Sequence, residues 1–146
     1  MTGFHIKSEM TIFVTMSRTR IIYSVLFCIY IAAVAFLCFA KPDDLPQMPQ
    51  LWFGLPADKV GHFLMFMPFP VLAFLTFETE GMAVGRQLLL LTVLLTVGAG
   101  LAIGTEHVQA QLAYRAAEMK DFYADAAGLA IGGLCTLAFF ILRRSR

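Results

Sequence analysis

Residues 21–40 read IIYSVLFCIYIAAVAFLCFA, twenty residues without a charge. At about 1.5 Å per residue, a helix of that length crosses a hydrocarbon core of about 30 Å. Arg18 and Arg20 precede the run, and Lys41, Pro42, Asp43 and Asp44 follow it. A cleaved signal peptide is the competing reading, because Cys38 and Ala40 are small enough for a cleavage site. Such a peptide normally carries an apolar stretch of only about 7–15 residues. The run is therefore expected to remain as a membrane anchor. Before it, the first seventeen residues show no clear pattern, and Met10 and Met16 are alternative starts.

Three more spans follow. A polar segment from Lys41 to Asp58 contains Pro42, Pro46, Pro49 and Pro56, with Leu51, Trp52 and Phe53 suited to the membrane–water interface. The second span is expected over residues 59–77, kinked or partly unwound where Pro68 and Pro70 remove backbone donors. Glu78, Glu80, Gly81 and Arg86 mark a turn. The third span, residues 87–105, is Leu-rich and then carries Gly98, Gly100 and Gly104. A polar stretch, residues 106–120, leads to the fourth span over residues 121–142, and Arg143, Arg144 and Arg146 close the chain. The expected fold is an all-α membrane protein, a bundle of four transmembrane helices. Residues 1–20 form a tail, residues 21–142 the membrane domain and residues 143–146 a basic tail.

Composition agrees. Of the 146 residues 59% are hydrophobic and 14% charged, and mean hydropathy is +0.75. A soluble domain usually carries about 25% charged residues, so this charge is too sparse to coat a water-facing surface. The net charge of +1 gives no reason to expect nucleic acid. Cys28, Cys38 and Cys135 all lie inside apolar runs, which suits neither a disulfide framework nor a metal knuckle.

Orientation follows from the basic residues. With both termini on one side, that side holds Lys7, Arg18, Arg20, Arg86, Arg143, Arg144 and Arg146, and the other holds Lys41, Lys59, Arg115 and Lys120. Seven against four predicts that both termini are cytoplasmic.

That topology gathers Asp58, Lys59, His62, Glu106, Gln109, Arg115, Asp121 and Asp125 at the outer ends of spans two to four. Ionisable groups at membrane depth are expensive unless paired or wet, so the grouping calls for a reason. Asp58 and His62 are four apart and share a helix face; Asp121 and Asp125 repeat the spacing, and Gly128 and Gly132 extend that stripe. The plain readings are also open. Asp58 and Lys59 suit an ordinary helix-end pair, the glycine stripes suit packing, and His107, Glu118 and Lys120 suit a solvated face. Asp125 lies deepest and requires a partner, for which Arg115, Lys59 and His62 are the candidates.

Two blocks of sequence carry a resemblance. Asp58-Lys59-Val60-Gly61-His62-Phe63 resembles the Asp-Lys-x-x-His-Phe opening of the second helix in the VanZ-like family, named for a teicoplanin-resistance protein of bacterial glycopeptide-resistance clusters. Glu106-x-x-Gln109, Arg115, Asp121 and Gly128 follow that family's second pattern. Asp125 stands where the family commonly has asparagine, and Glu118 where Asp or Ser is frequent. The resemblance covers residues 21–142 and implies a multi-pass protein of the bacterial cytoplasmic membrane. It supplies no reaction.

Three functions fit these residues. The first is binding of a lipophilic or lipid-linked cell-envelope molecule, linked to teicoplanin resistance, with Arg115 and Lys59 on an acidic headgroup and Glu106, Gln109 and Asp121 orienting them. The second is a membrane enzyme with Asp58 and His62 as an acid–base pair and Glu106 as a further candidate. The third is a small proton-coupled transporter, which at this size would need to form a homo-oligomer. No cofactor and no resident metal are expected. A divalent ion on His62 and carboxylates would require ligands from separate helices, without a short spacing such as His-x-x-x-His. Membrane lipids are the expected surroundings.

Overall fold

The computed structural model describes residues 18–45, 49–52, 54–77, 79, 81–114 and 118–144. Phe53, Glu78, Glu80, Arg115 and the start sites Met10 and Met16 lie outside them. The elements run α1 (Arg18–Phe39), a 3-10 turn (Pro42–Asp44), β1 (Leu51–Trp52), β2 (Leu55–Pro56), α2 (Ala57–Phe66), α3 (Pro68–Leu75), α4 (Val84–Gln109) and α5 (Met119–Arg144). Taking α2 and α3 as one broken helix, there are four helices long and apolar enough to cross a membrane.

Residue chemistry sets the boundaries. Pro68 and Pro70 lack the N–H groups that Leu64 and Phe66 would otherwise bind four residues back. The break is shallow all the same: Met67 keeps helical dihedrals (φ −60°, ψ −42°), and its N–H donates to the Phe63 carbonyl at 3.0 Å. The span is therefore jointed rather than unwound. Both later helices exceed the apolar runs expected for them. α4 continues through Glu106 to Gln109 and α5 starts at Met119, because these end turns carry polar groups that find partners inside the bundle. The short antiparallel β1–β2 ladder pairs Leu51 with Pro56 and Trp52 with Leu55. Its turn uses Gly54 at φ 82°, a conformation in which a side chain is strained.

α5 is the central element, packed on α2, α3 and α4; α1 lies at the edge, mainly against α3. In α1 only Cys38 is buried; Phe27 and Tyr30 pack against the bundle, and most of its other apolar side chains face outward, as a lipid-facing span requires. α2 and α5 run parallel, and Phe63 and Met67 of α2 and its joint lie against Gly128 and Gly132 of α5. A Cβ at Gly128 would collide with the Phe63 carbonyl oxygen and one at Gly132 with that of Met67, so the glycines let the two backbones touch. In α4 the close approach is at Gly98, against Leu129 and Phe69; Gly100 and Gly104, expected to share that part, face open space. Phe66, Phe69, Ala102 and Leu129 fill the middle of the bundle, and Ala73, Phe74, Leu91, Leu94 and Phe140 the end away from the polar residues.

Candidate functional site

The parallel pairing of α2 with α5 sets the register of the site. Lys59 and His62 lie one turn or less from Phe63 on the face of α2 that meets α5. Asp121 and Asp125 continue the Gly128–Gly132 stripe toward the start of α5. The same backbone contact that needs glycine thus brings the basic residues of one helix onto the acids of the other.

Lys59 is fully engaged. Its ammonium has three protons and meets three carboxylates: Asp58 at 2.9 Å, Glu118 at 2.8 Å, and Asp121. Asp58 and Glu118 are exposed, whereas Asp121 is buried, so this network forms the rim. One turn deeper, His62 Nδ1 lies 2.9 Å from Oδ1 of Asp125, which is wholly buried at 0% exposure. On the other side of the ring, His62 Nε2 lies 3.9 Å from Oδ2 of Asp121. Glu106 enters from α4, and one donor atom each from His62, Glu106 and Asp125 falls within 4.8 Å of the others. Oε1 of Glu106 and Oδ2 of Asp125 are buried without a hydrogen-bond partner among the described residues. Five carboxylates (Asp58, Glu106, Glu118, Asp121 and Asp125) thus surround one ammonium and one imidazole. Such a site is rich in acceptors and disposed toward positive charge and hydrogen-bond donors.

Beside it, Gln109 has a different task. Its side-chain amide is buried and donates to the Cys38 carbonyl at 2.9 Å. The Tyr114 hydroxyl donates to the Phe39 carbonyl at 3.0 Å. The last carbonyls of a helix have no partner within it, and here residues at and beyond the end of α4 cap those of α1. The Tyr30 hydroxyl likewise donates to the Met65 carbonyl beside the proline joint.

Of the residues expected from sequence, Lys59, His62, Glu106, Asp121 and Asp125 come together. Asp58 stays at the rim on Lys59. His62 meets Asp125 and Asp121 instead of pairing with Asp58, since one helical turn along α2 leads toward solvent while the facing helix lies inward. Of the two described residues proposed as partners for Asp125, Lys59 and His62, it is His62 that meets it. Lys59, expected to contact a headgroup, spends its donors on acids of the chain itself. Arg115 lies outside the described residues. Glu118 is the site residue that the sequence reading placed on a solvated face; its signal was a position three before Asp121, immediately before α5.

The family profile described as VanZ/LLP1 matches residues 6–142. No curated protein and no solved structure gives a significant match. The profile spans nearly all of the 146 residues, including every helix that builds the polar cluster, and this four-span membrane protein therefore belongs to the VanZ/LLP1 family.

Proposed function

We propose that the protein binds the polar part of a lipophilic or lipid-linked molecule of the bacterial cell envelope at the end of the bundle where α2, α4 and α5 meet. The observation carrying this reading is the convergence of five carboxylates, a lysine and a histidine from three separate spans. A bundle that needed only to pack could fill these positions with apolar side chains and avoid the cost of charge at membrane depth. The acceptor excess favours a headgroup bearing hydroxyl or amine donors. Arg115 is kept from the sequence as the contact for an acidic group on the same molecule. Teicoplanin, with which the family's namesake is associated, is a lipoglycopeptide joining sugar and amide donors to an acyl tail, and lowered susceptibility to it is part of this proposal. The excess of basic residues at the opposite end of the bundle supports an outward-facing site in the cytoplasmic membrane.

The test is mass spectrometry of lipids and small molecules co-purifying in mild detergent with the wild type, Arg115→Ala and Glu106→Gln. An envelope lipid or precursor enriched on the wild type and lost from the variants is expected. The same bulk lipids on all three preparations would sink the proposal.

One observation favours a second reading, an enzyme acting on such a lipid. Asp125 fixes one ring nitrogen of His62 and turns the other toward Asp121, the arrangement that orients a general base. The base–carboxylate pair is then His62 with Asp125, with Glu106 as the further titrating group. Turnover of the co-purified lipid, abolished in His62→Ala while lipid retention persists, separates this reading from binding alone.

A further inference from the structure

The geometry points to a divalent transition-metal site of the zinc class, with His62, Glu106 and Asp125 as its protein ligands. The site lies within the cluster described above but does not depend on a lipid ligand. Three observations carry it. First, a ring nitrogen of His62 and one carboxylate oxygen each from Glu106 and Asp125 lie within 4.8 Å of one another, although they come from α2, α4 and α5. Second, His62 Nδ1 and Asp125 Oδ1 are already 2.9 Å apart. Two ligands on one ion with bonds of about 2.1 Å sit about 3.0–3.4 Å apart, so a metal replaces the shared proton with a shift of a few tenths of an ångström. Glu106, with an oxygen within 4.8 Å of the other two ligand atoms, closes the set by moving inward. Third, Asp125 is wholly buried, and its Oδ2, like Oε1 of Glu106, has no hydrogen-bond partner among the described residues. A buried carboxylate oxygen without a donor is costly, and a cation held by Oε1 of Glu106 and by both oxygens of Asp125 removes that cost.

The surroundings agree. With Nδ1 on the metal, Nε2–H of His62 faces Asp121 Oδ2, 3.9 Å away. Closing that gap to hydrogen-bond length gives the carboxylate–histidine–metal order that fixes ring orientation and raises ligand basicity. Lys59, the ammonium nearest the set, is neutralised by three acids, so it does not repel a cation. One imidazole with two carboxylates suits zinc or its neighbours better than calcium or magnesium, which prefer oxygen throughout. Three protein ligands leave a coordination position open to water or to an oxygen of a bound molecule.

The test uses the full chain in mild detergent, stripped with a chelator, loaded with Zn2+ and desalted, with bound metal read by elemental analysis. About one zinc per chain is expected on the wild type. Glu106→Gln is expected to weaken binding at least about 10-fold, and Asp121→Asn about 10- to 100-fold through His62. His107→Gln, at an exposed position, leaves binding unchanged if the inference holds. Co2+ absorption in the visible range reads the geometry and keeps the test decisive if a variant fails to fold. A four-coordinate spectrum that Ca2+ does not displace supports the site. A wild type that keeps no zinc overturns it, as does zinc lost equally from His107→Gln or kept by a folded Glu106→Gln. Metal and lipid are read separately. Zinc without an enriched lipid upholds this inference and ends the headgroup reading; an enriched lipid without zinc does the reverse.

Discussion

A methyl group added at Gly128 would overlap the carbonyl oxygen of Phe63, and one at Gly132 that of Met67, both backbone atoms that cannot rotate aside. Gly132→Ala is expected to lower stability by about 1–3 kcal/mol, the usual cost of overpacking. Gly100→Ala, with nothing within 4 Å, should be neutral or stabilising by up to about 1 kcal/mol through helix propensity. Thermal unfolding in one detergent checks both, and equal effects would contradict the packing of α2 on α5. His62 and Asp125 make a second pair of expectations. Asp125→Ala leaves a buried imidazole nitrogen without its partner and should cost about 1–3 kcal/mol in the same assay. Asp125→Asn keeps an oxygen acceptor at that place and should cost less. The sequence reading identified Asp125 as needing a partner because depth alone implies one. That this partner is His62, and that His62 therefore does not pair with Asp58, depends on which faces of two distant helices meet, and spacing within one helix carries no such information.

At the scale of elements, the four spans were legible because an apolar run of about twenty residues has few other uses. Their ends were less so: α4 runs four residues beyond the expected Thr105, since Gln109 looks polar by itself and acts as a buried cap on α1. The β1–β2 ladder, two residues a strand, is too short to leave an alternating pattern. Gln109→Leu removes the amide that holds the Cys38 carbonyl and should loosen the end of α1 by about 1 kcal/mol. Hydrogen exchange in detergent is expected to speed up at the last turn of α1 and stay unchanged in α5. Uniform acceleration would mean that Gln109 supports the whole bundle instead.

For the whole molecule, α1 and α5 begin and end such that Arg18 and Arg143 share one end of the bundle and the polar cluster occupies the other. The basic residues predict which end faces the cytoplasm. A reporter fused after the last residue should be active only as a cytoplasmic fusion, and activity on the outside alone would invert the orientation and turn the site inward. The parallel contact between α2 and α5 also has a consequence for biosynthesis. His62 and Asp125 are 63 residues apart in sequence, with α3 and α4 between them. At a translation rate of about 5–20 residues per second, several seconds separate their synthesis. Until α5 leaves the insertion machinery, Lys59 has only Asp58 of its three acids, and His62 lacks both Asp121 and Asp125. The cluster is therefore completed only once α5 is in place, and a chain stopped at the end of α4 would keep Asp58 and Glu106 but lack Glu118, Asp121 and Asp125, the remaining acids around Lys59 and His62.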